Sequence, residues 1–381
     1  MNAPDSSLLT RNALPGILEL EAYTPGMPIE ELQRRLGLAD VIKLASNENP
    51  LGAAPRVREA LAGAVTKDNL ALYPDGSGFR LKRKVAAYHG IAPERVTLGN
   101  GSNDILEFLA RIYAGPGRAV MFSDYAFAVY PLAAKAQNAD AVVVPAYPPD
   151  HAMPYGHDLA AFSTLLAQRP DVSLVFVANP NNPTGTWNTP AEILAFLESV
   201  PPHVIVALDE AYWDYQDPAT RVDARPWLDR FPNLVVTRTF SKVYGIASLR
   251  AGYALSHPTI ADLLNRVRQP FNNNSLALLA AELALDDQAH VQKSVELNTR
   301  ERARLTRELT ARGLRVLPSQ ANFVTVGFGR DARPIHQGLL ERGVIVRPMG
   351  SYGMPQFLRV TVGTESQDTR FLDALDEALK S

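Results

Sequence analysis

Lys242 sits in the run Thr239-Phe240-Ser241-Lys242, and Arg250 follows eight residues later. Upstream, Asp209 closes the apolar run Val204–Leu208 and opens Asp209-Glu210-Ala211-Tyr212. Asn182 lies in Asn181-Asn182-Pro183-Thr184-Gly185. A lysine amine condenses with an aldehyde to a Schiff base, and nearby positive charge with partial burial lowers its pKa and frees the nucleophile. An aspartate keeps a pyridine nitrogen protonated, Tyr212 and Asn182 can donate to a phenolic oxygen, and Arg250 with the hydroxyls of Thr239 and Ser241 suits a phosphate. These are the requirements of pyridoxal phosphate. Each group alone has a bland reading: lysines are mostly solvated, Asp209 suits a loop acid, and Asn-Pro-Gly runs make turns. Their combination and order, each following an apolar strand-like run, point to the cofactor where no single group does.

A second phosphate element is Gly99-Asn100-Gly101-Ser102-Asn103, which joins the expected strand Arg95–Leu98 to the expected helix Asp104–Tyr113. A glycine loop entering a helix binds phosphate through backbone N–H groups and the helix dipole. A dinucleotide fingerprint needs a third glycine where Asp104 stands, so the Rossmann reading and an NAD-dependent dehydrogenase are disfavoured. Ser102 or Asn103 also suits a helix cap. Phe127 and Tyr130 open the next helix, where aromatics are more often core than cofactor-stacking. Tyr73, in Leu72-Tyr73-Pro74-Asp75-Gly76, exposes a phenol on a turn.

The elements that must position these groups alternate from about residue 55. Expected helices are Pro55–Val65, Gly78–His89, Asp104–Tyr113, Phe127–Gln137 and Pro190–Glu198. Expected strands are Arg95–Leu98, Ala119–Phe122, Ala141–Pro145, Leu174–Ala178, Val204–Leu208, Leu234–Thr237 and Ala251–Leu255. The middle strands are continuous apolar runs, as suits strands covered on both faces of a mostly parallel sheet, and the alternation predicts an α/β fold. Residues 275–312 read as mostly helical, stopped by Gly313. A change of texture follows, with short strands at Leu314–Leu317, Asn322–Gly327, Val344–Val346 and Phe357–Thr361 and helices at Pro334–Arg342 and Ser366–Leu379. The expected organisation is a Pro-rich arm (1–40) packing with the small domain or a partner subunit, a large cofactor domain (41–275) and a small α+β domain (276–381).

Composition narrows the classes. The chain of 381 residues is 46% hydrophobic and 20% charged, with a formal net charge of −2. Nothing in that balance draws nucleic acid or an anionic membrane. Cysteine is absent, which excludes disulfides and thiolate metal sites and fits the cytoplasm. The seven histidines show no metal-ligand spacing, so no metal is expected. No apolar run is long enough to span a bilayer, and no secretion signal is expected from residues 1–18.

The chain resembles the histidinol-phosphate aminotransferases, fold-type I enzymes dependent on pyridoxal phosphate. The resemblance runs from about Tyr23 to the C-terminus. Its widely shared pieces are Asn182-Pro183-Thr184-Gly185, Asp209-Glu210-Ala211-Tyr212 and the lysine run; Ala22–Gly26 and Tyr73-Pro74-Asp75 also match. Narrower pieces are Asn47-Glu48-Asn49-Pro50 and Arg359-Val360-Thr361-Val362-Gly363-Thr364. The resemblance implies that Lys242 carries the cofactor and moves the proton, that Asp209 pairs with the pyridine nitrogen, and that Asn182 and Tyr212 contact the phenolic oxygen. It implies that Phe127 stacks on the ring and that Gly101, Ser102, Asn103, Thr239, Ser241 and Arg250 surround the phosphate. Tyr73 is expected to reach that phosphate across a homodimer interface. Arg359 is expected to bind the α-carboxylate of glutamate, Arg347 the distal phosphate or carboxylate of a substrate, and Tyr23 and Asn47 to line the substrate pocket. The implied reaction joins L-histidinol phosphate and 2-oxoglutarate. An aromatic amino acid aminotransferase is the near alternative, and a threonine-phosphate decarboxylase or a non-catalytic relative the more distant ones.

Overall fold

Val172–Ala178 (β5) and Ile205–Asp209 (β6), the most apolar runs of the chain, lie side by side in parallel, Leu174 opposite Ile205 and Ala178 opposite Asp209. They form the middle of a seven-stranded sheet in the computed structural model, which describes residues 10–21, 26–66 and 70–380. The sheet order is β2-β8-β7-β6-β5-β3-β4, with β2 at Val96–Gly99, β3 at Ala119–Ser123, β4 at Asp140–Val144, β7 at Leu234–Thr239 and β8 at Gly252–Ser256. Only β8 runs against its neighbours, pairing antiparallel with β2 and β7.

Alternate residues of the central strands feed two cores. Val175, Val177, Val206, Leu208 and Val236 point to one, under helices Phe79–His89, Leu159–Gln168, Pro190–Ser199 and Ser275–Asp286. Leu174, Phe176, Ile205, Ala207 and Val235 point to the other, under Ser102–Tyr113, Val129–Ala136 and Pro258–Val267. Covering both faces explains why these strands are apolar throughout rather than alternating. It also leaves the carboxyl ends of β2, β5, β6 and β7 as the place where polar groups gather, the usual ligand crevice of open α/β sheets.

A second sheet has the order β1-β11-β12-β10-β9, with β1 at Ile42–Leu44, β9 at Arg315–Val316, β10 at Phe323–Gly327, β11 at Val344–Pro348 and β12 at Phe357–Thr361. Helices Gln288–Ala311, Arg333–Glu341 and Glu365–Lys380 pack on it.

Three boundaries differ from the sequence expectation. β1 belongs to the second sheet, paired in parallel with β11, although it lies within 41–275. Ser275–Asp286 packs on Pro55–Ala64 and Phe79–His89 and buries Ala277, Ala280, Ala281 and Ala284 in the large body, which therefore extends past residue 275. The helical stretch 275–312 is two helices, because Asp287 leaves helical geometry and its side chain caps the next helix at His290. Gly313 follows at φ 73°, the left-handed stop read from the sequence. The arm also divides. Gly16 donates to Asn138 Oδ1 at 3.0 Å, on the large body, whereas Leu32 of helix Ile29–Leu36 packs with Ala45, Leu340 and Ile345 of the small one.

Candidate active site

A cavity of about 210 Å³ opens at the carboxyl ends of β5, β6 and β7 and is roofed by the second sheet. Lys242, Asp209, Tyr212, Asn182, Phe127, Ser102, Asn103, Thr239, Ser241 and Arg250 line it from the large body. Asn47, Arg347 and Arg359 line it from the other side.

Lys242 follows β7, and its Nζ donates to the carbonyl of Ser46 at 3.3 Å. Burial and the nearby Arg359 guanidinium bring its pKa down to about 8, with Arg250 adding to the effect against the pull of Glu48 and Asp209. Free amine is therefore present near neutrality. Asp209, buried at the end of β6, accepts from Tyr130 Oη at Oδ2 and from Thr237 Oγ1 at Oδ1, both at 3.0 Å. Burial pushes its pKa up, while those two donors, the Ala211 N–H and Lys242 pull it back. Tyr212 accepts from Asn47 Nδ2 at 2.9 Å, which leaves its own O–H to donate, and burial raises that phenol to about 12.

The loop after β2 and the turn after β7 make a cradle. The helix Ser102–Tyr113 starts from Gly101, which has no side chain to accept the first N–H groups; neither Ser102 nor Asn103 caps it. Gly101 stands at φ 80°, and a Cβ there would lie 2.5 Å from Arg250 Nη2. A Cβ on Gly252 would lie 2.5 Å from the backbone N of Ser102. Both glycines thus permit the close approach of backbone, guanidinium and helix terminus. Arg250 itself holds a left-handed conformation at φ 59° and donates to Ser241 Oγ at 3.1 Å. A non-glycine residue in that region is strained, and such strain gathers at functional sites. An open helix N-terminus, a guanidinium and the hydroxyls of Ser102, Thr239 and Ser241 are the donor set of a phosphate site.

On the second sheet, Arg347 and Arg359 sit directly opposite each other on antiparallel β11 and β12. Like charges in that register repel, so the pair is suited to an anion between or above them. Arg359 is buried, donates to the Ala45 carbonyl at 2.8 Å and to Asn182 Oδ1, and its guanidinium stacks 5.2 Å from the Phe323 ring centroid. With its oxygen engaged by Arg359, Asn182 keeps its NH2 as a donor. Asn47 is held at φ 56° by bonds to Thr361 Oγ1 on both its backbone N–H and its side-chain oxygen.

Among the described residues, Tyr73 is not brought into this cavity. It is 81% exposed and stacks on Phe271 with centroids 4.7 Å apart, outside the cavity of its own chain. Tyr23 lies outside the described residues. Sequence reasoning passed over Tyr352 and Ser46, which line the cavity, and Thr237, which grips Asp209. The sequence favours a core role for the aromatic at Tyr130, whereas in the structure its phenol donates to Asp209. Ser46 stands immediately before the noted run Asn47–Pro50; Tyr352 and Thr237 carry no signal of spacing.

Fold and site together define an aminotransferase. The sequence pattern of the family Aminotransferase class I and II matches residues 39–375. The chain is 51% identical over 369 residues to Histidinol-phosphate aminotransferase 2 of Pseudomonas aeruginosa and 50% identical over 369 residues to that of Pseudomonas fluorescens, covering 96% of this chain and 97% of each relative. The histidinol-phosphate aminotransferase of Sinorhizobium meliloti, solved in complex with pyridoxal-5′-phosphate, superposes with a TM-score of 0.87 at 28% identity, over 97% of this chain and 98% of that one. This chain belongs to the class I and II aminotransferases and, within them, to the histidinol-phosphate aminotransferase family. Its architecture is the fold-type I arrangement of a mostly parallel large sheet and a smaller α+β domain.

Proposed function

We propose that the protein transfers the amino group of L-histidinol phosphate to 2-oxoglutarate, giving imidazole acetol phosphate and glutamate, in histidine biosynthesis, with pyridoxal 5′-phosphate as cofactor. The observation that carries this reading is the polar layout of one cavity. A lysine of lowered pKa shares it with an acid, with a phosphate cradle on the large body and with a pair of arginines on the small one. The relatives of about 50% identity carry the same activity in their names, so an aromatic amino acid aminotransferase is not favoured.

The residues present fit the cofactor. Gly101, Ser102, Asn103, Thr239, Ser241 and Arg250 would hold its phosphate, Asp209 its ring nitrogen, Asn182 and Tyr212 its phenolic oxygen, and Phe127 its face. When bound, pyridoxal phosphate supplies an aldehyde for the amino group and a ring that accepts the electron pair left by a departing proton. Lys242 would hold the cofactor covalently until the substrate amine displaces it, and its freed amine would then take the proton from the substrate carbon and return it to the carbon on the far side of the nitrogen. Its pKa near 8 suits both tasks, because a general base works best near ambient pH. Asp209 stays ionised and holds the proton at the ring nitrogen. Arg359 meets the α-carboxylate of glutamate, and Arg347 meets the substrate phosphate or the side-chain carboxylate of glutamate. One cation can serve either anion, which lets both half-reactions use one cavity.

The working unit in this reading is a homodimer with shared sites, in the cytoplasm. The exposed Tyr73–Phe271 stack, with Leu70, Leu72 and Phe79 exposed close by in the chain, supports it. Tyr73 then serves the partner's phosphate cradle. The deciding experiment compares kcat/KM for histidinol phosphate, phenylalanine and tyrosine with 2-oxoglutarate as acceptor. Histidinol phosphate is expected to lead, and a lead for phenylalanine or tyrosine overturns the assignment.

A further inference from the structure

We infer that Tyr130 is a positioning residue for the reaction, its phenol acting with Thr237 to fix the plane of the Asp209 carboxylate toward the cofactor ring. The inference rests on the function proposed above and deepens it.

Tyr130 is fully buried on the helix Val129–Ala136, one turn beyond Phe127. Its ring stacks on Phe176 of β5 with centroids 4.6 Å apart and planes 9° apart, and meets the edge of Phe127 at 5.8 Å and 89°. Packing alone would be served by phenylalanine. A buried phenol needs a hydrogen-bond partner, and here the partner is Asp209 Oδ2 at 3.0 Å. The other carboxylate oxygen takes the hydroxyl of Thr237, whose backbone faces Asp209 directly across β6 and β7. Two neutral donors, one from a helix and one from a strand, thus hold opposite oxygens. The carboxylate cannot turn about its terminal bond without losing both. Neutral donors also favour the ionised form without supplying a competing cation. Because the same ring touches Phe127, Tyr130 ties the group expected on the cofactor face to the group expected on its nitrogen. Burial raises the Asp209 pKa and the Tyr130 bond opposes that rise.

The test uses Tyr130→Phe, which keeps the ring and removes the hydroxyl, beside Thr237→Val and the conservative Thr237→Ser. In Tyr130→Phe and Thr237→Val, kcat for histidinol phosphate should fall about tenfold, with KM within about twofold of wild type. In the cofactor-free proteins, the infrared band of the protonated carboxyl, assigned by its loss in Asp209→Asn, should appear at higher pH than in wild type. Thr237→Ser should match wild type in both. Unchanged kcat in Tyr130→Phe overturns the inference, and so does a fall in kcat without a shift of the carboxyl band, which would mark a packing role. If the wild-type protein itself takes up no pyridoxal phosphate, the proposed function fails instead; that outcome is read before any variant is compared.

Discussion

The two sheets serve the cavity by different means. The large sheet contributes residues at and just beyond the ends of parallel strands, where short consecutive runs such as Thr239–Lys242 and Asp209–Tyr212 place several groups at once. The small sheet contributes residues within antiparallel strands, where Arg347 and Arg359 meet only because β11 and β12 pair in that register. The large-sheet groups are held mainly by bonds within that body, Asp209 by Thr237 of the adjacent strand and by Tyr130, and Arg250 by Ser241. The small-sheet arginines are held across the chain, Arg359 by Ala45 and Asn182. The contrast teaches a division of labour: a cofactor floor whose groups come in consecutive runs at strand ends, and a substrate wall whose charge depends on strand pairing.

The sharpest way to break the comparison is Lys242→Ala. Turnover should fall roughly 10³-fold or more, and the visible absorbance of bound cofactor should vanish, while circular dichroism stays that of the folded protein. Near-wild-type turnover would remove the floor from the chemistry altogether. Asp209→Asn comes next. The expected loss is roughly 10²-fold in kcat with a smaller loss of cofactor affinity, because an amide cannot hold the ring-nitrogen proton by charge. A normal kcat would reduce Asp209 to a loop acid.

The wall is tested by Arg347→Ala. Histidinol phosphate should lose about ten- to a hundredfold of its kcat/KM advantage over phenylalanine, since a charge-assisted contact to phosphate contributes about 1.5–3 kcal/mol. An unmoved ratio would assign the distal anion to another group. The smallest effect joins floor and wall. Covalent capture of pyridoxal phosphate by the cofactor-free protein should speed up with pH to a midpoint of about 8, where half of Lys242 is the free amine. Arg359 helps to depress that pKa, so Arg359→Gln should move the midpoint upward and slow capture at neutral pH, roughly several-fold. The midpoint read by stopped-flow absorbance decides the matter; if it stays put, burial alone sets it.

The same contrast explains what could be read in advance. The floor was legible because chemistry and strand end share one run of sequence, so apolar runs and their polar endings appear together. The wall was legible only through resemblance to the family, since nothing near Arg347 names Arg359 as its partner. β1 escaped for a related reason: three residues, Ile42–Leu44, acquire meaning as a strand only beside Val344–Val346. The helices Leu159–Gln168 and Pro258–Val267 also escape the sequence reading, the first lying between two conspicuous strands and the second between a strand and a long helical stretch. Thr237 and Tyr130 were hidden in apolar surroundings, where a hydroxyl announces nothing until folding points it at Asp209.

The pairing of β1 with β11 has a consequence in the order of synthesis. Ile42 leaves the ribosome long before Val344, and Asn47 long before Thr361, which holds it. At typical translation rates the wait is roughly 15 to 60 s. During that interval the large sheet can complete itself, since its strands span only Val96 to Ser256. The strands of the large sheet are thus all made before the arginine pair exists, and the Asn47 bond to Tyr212 lacks its anchor until the last strand arrives. Within one chain, the arginine pair of β11 and β12 is the last part of the cavity to be synthesised.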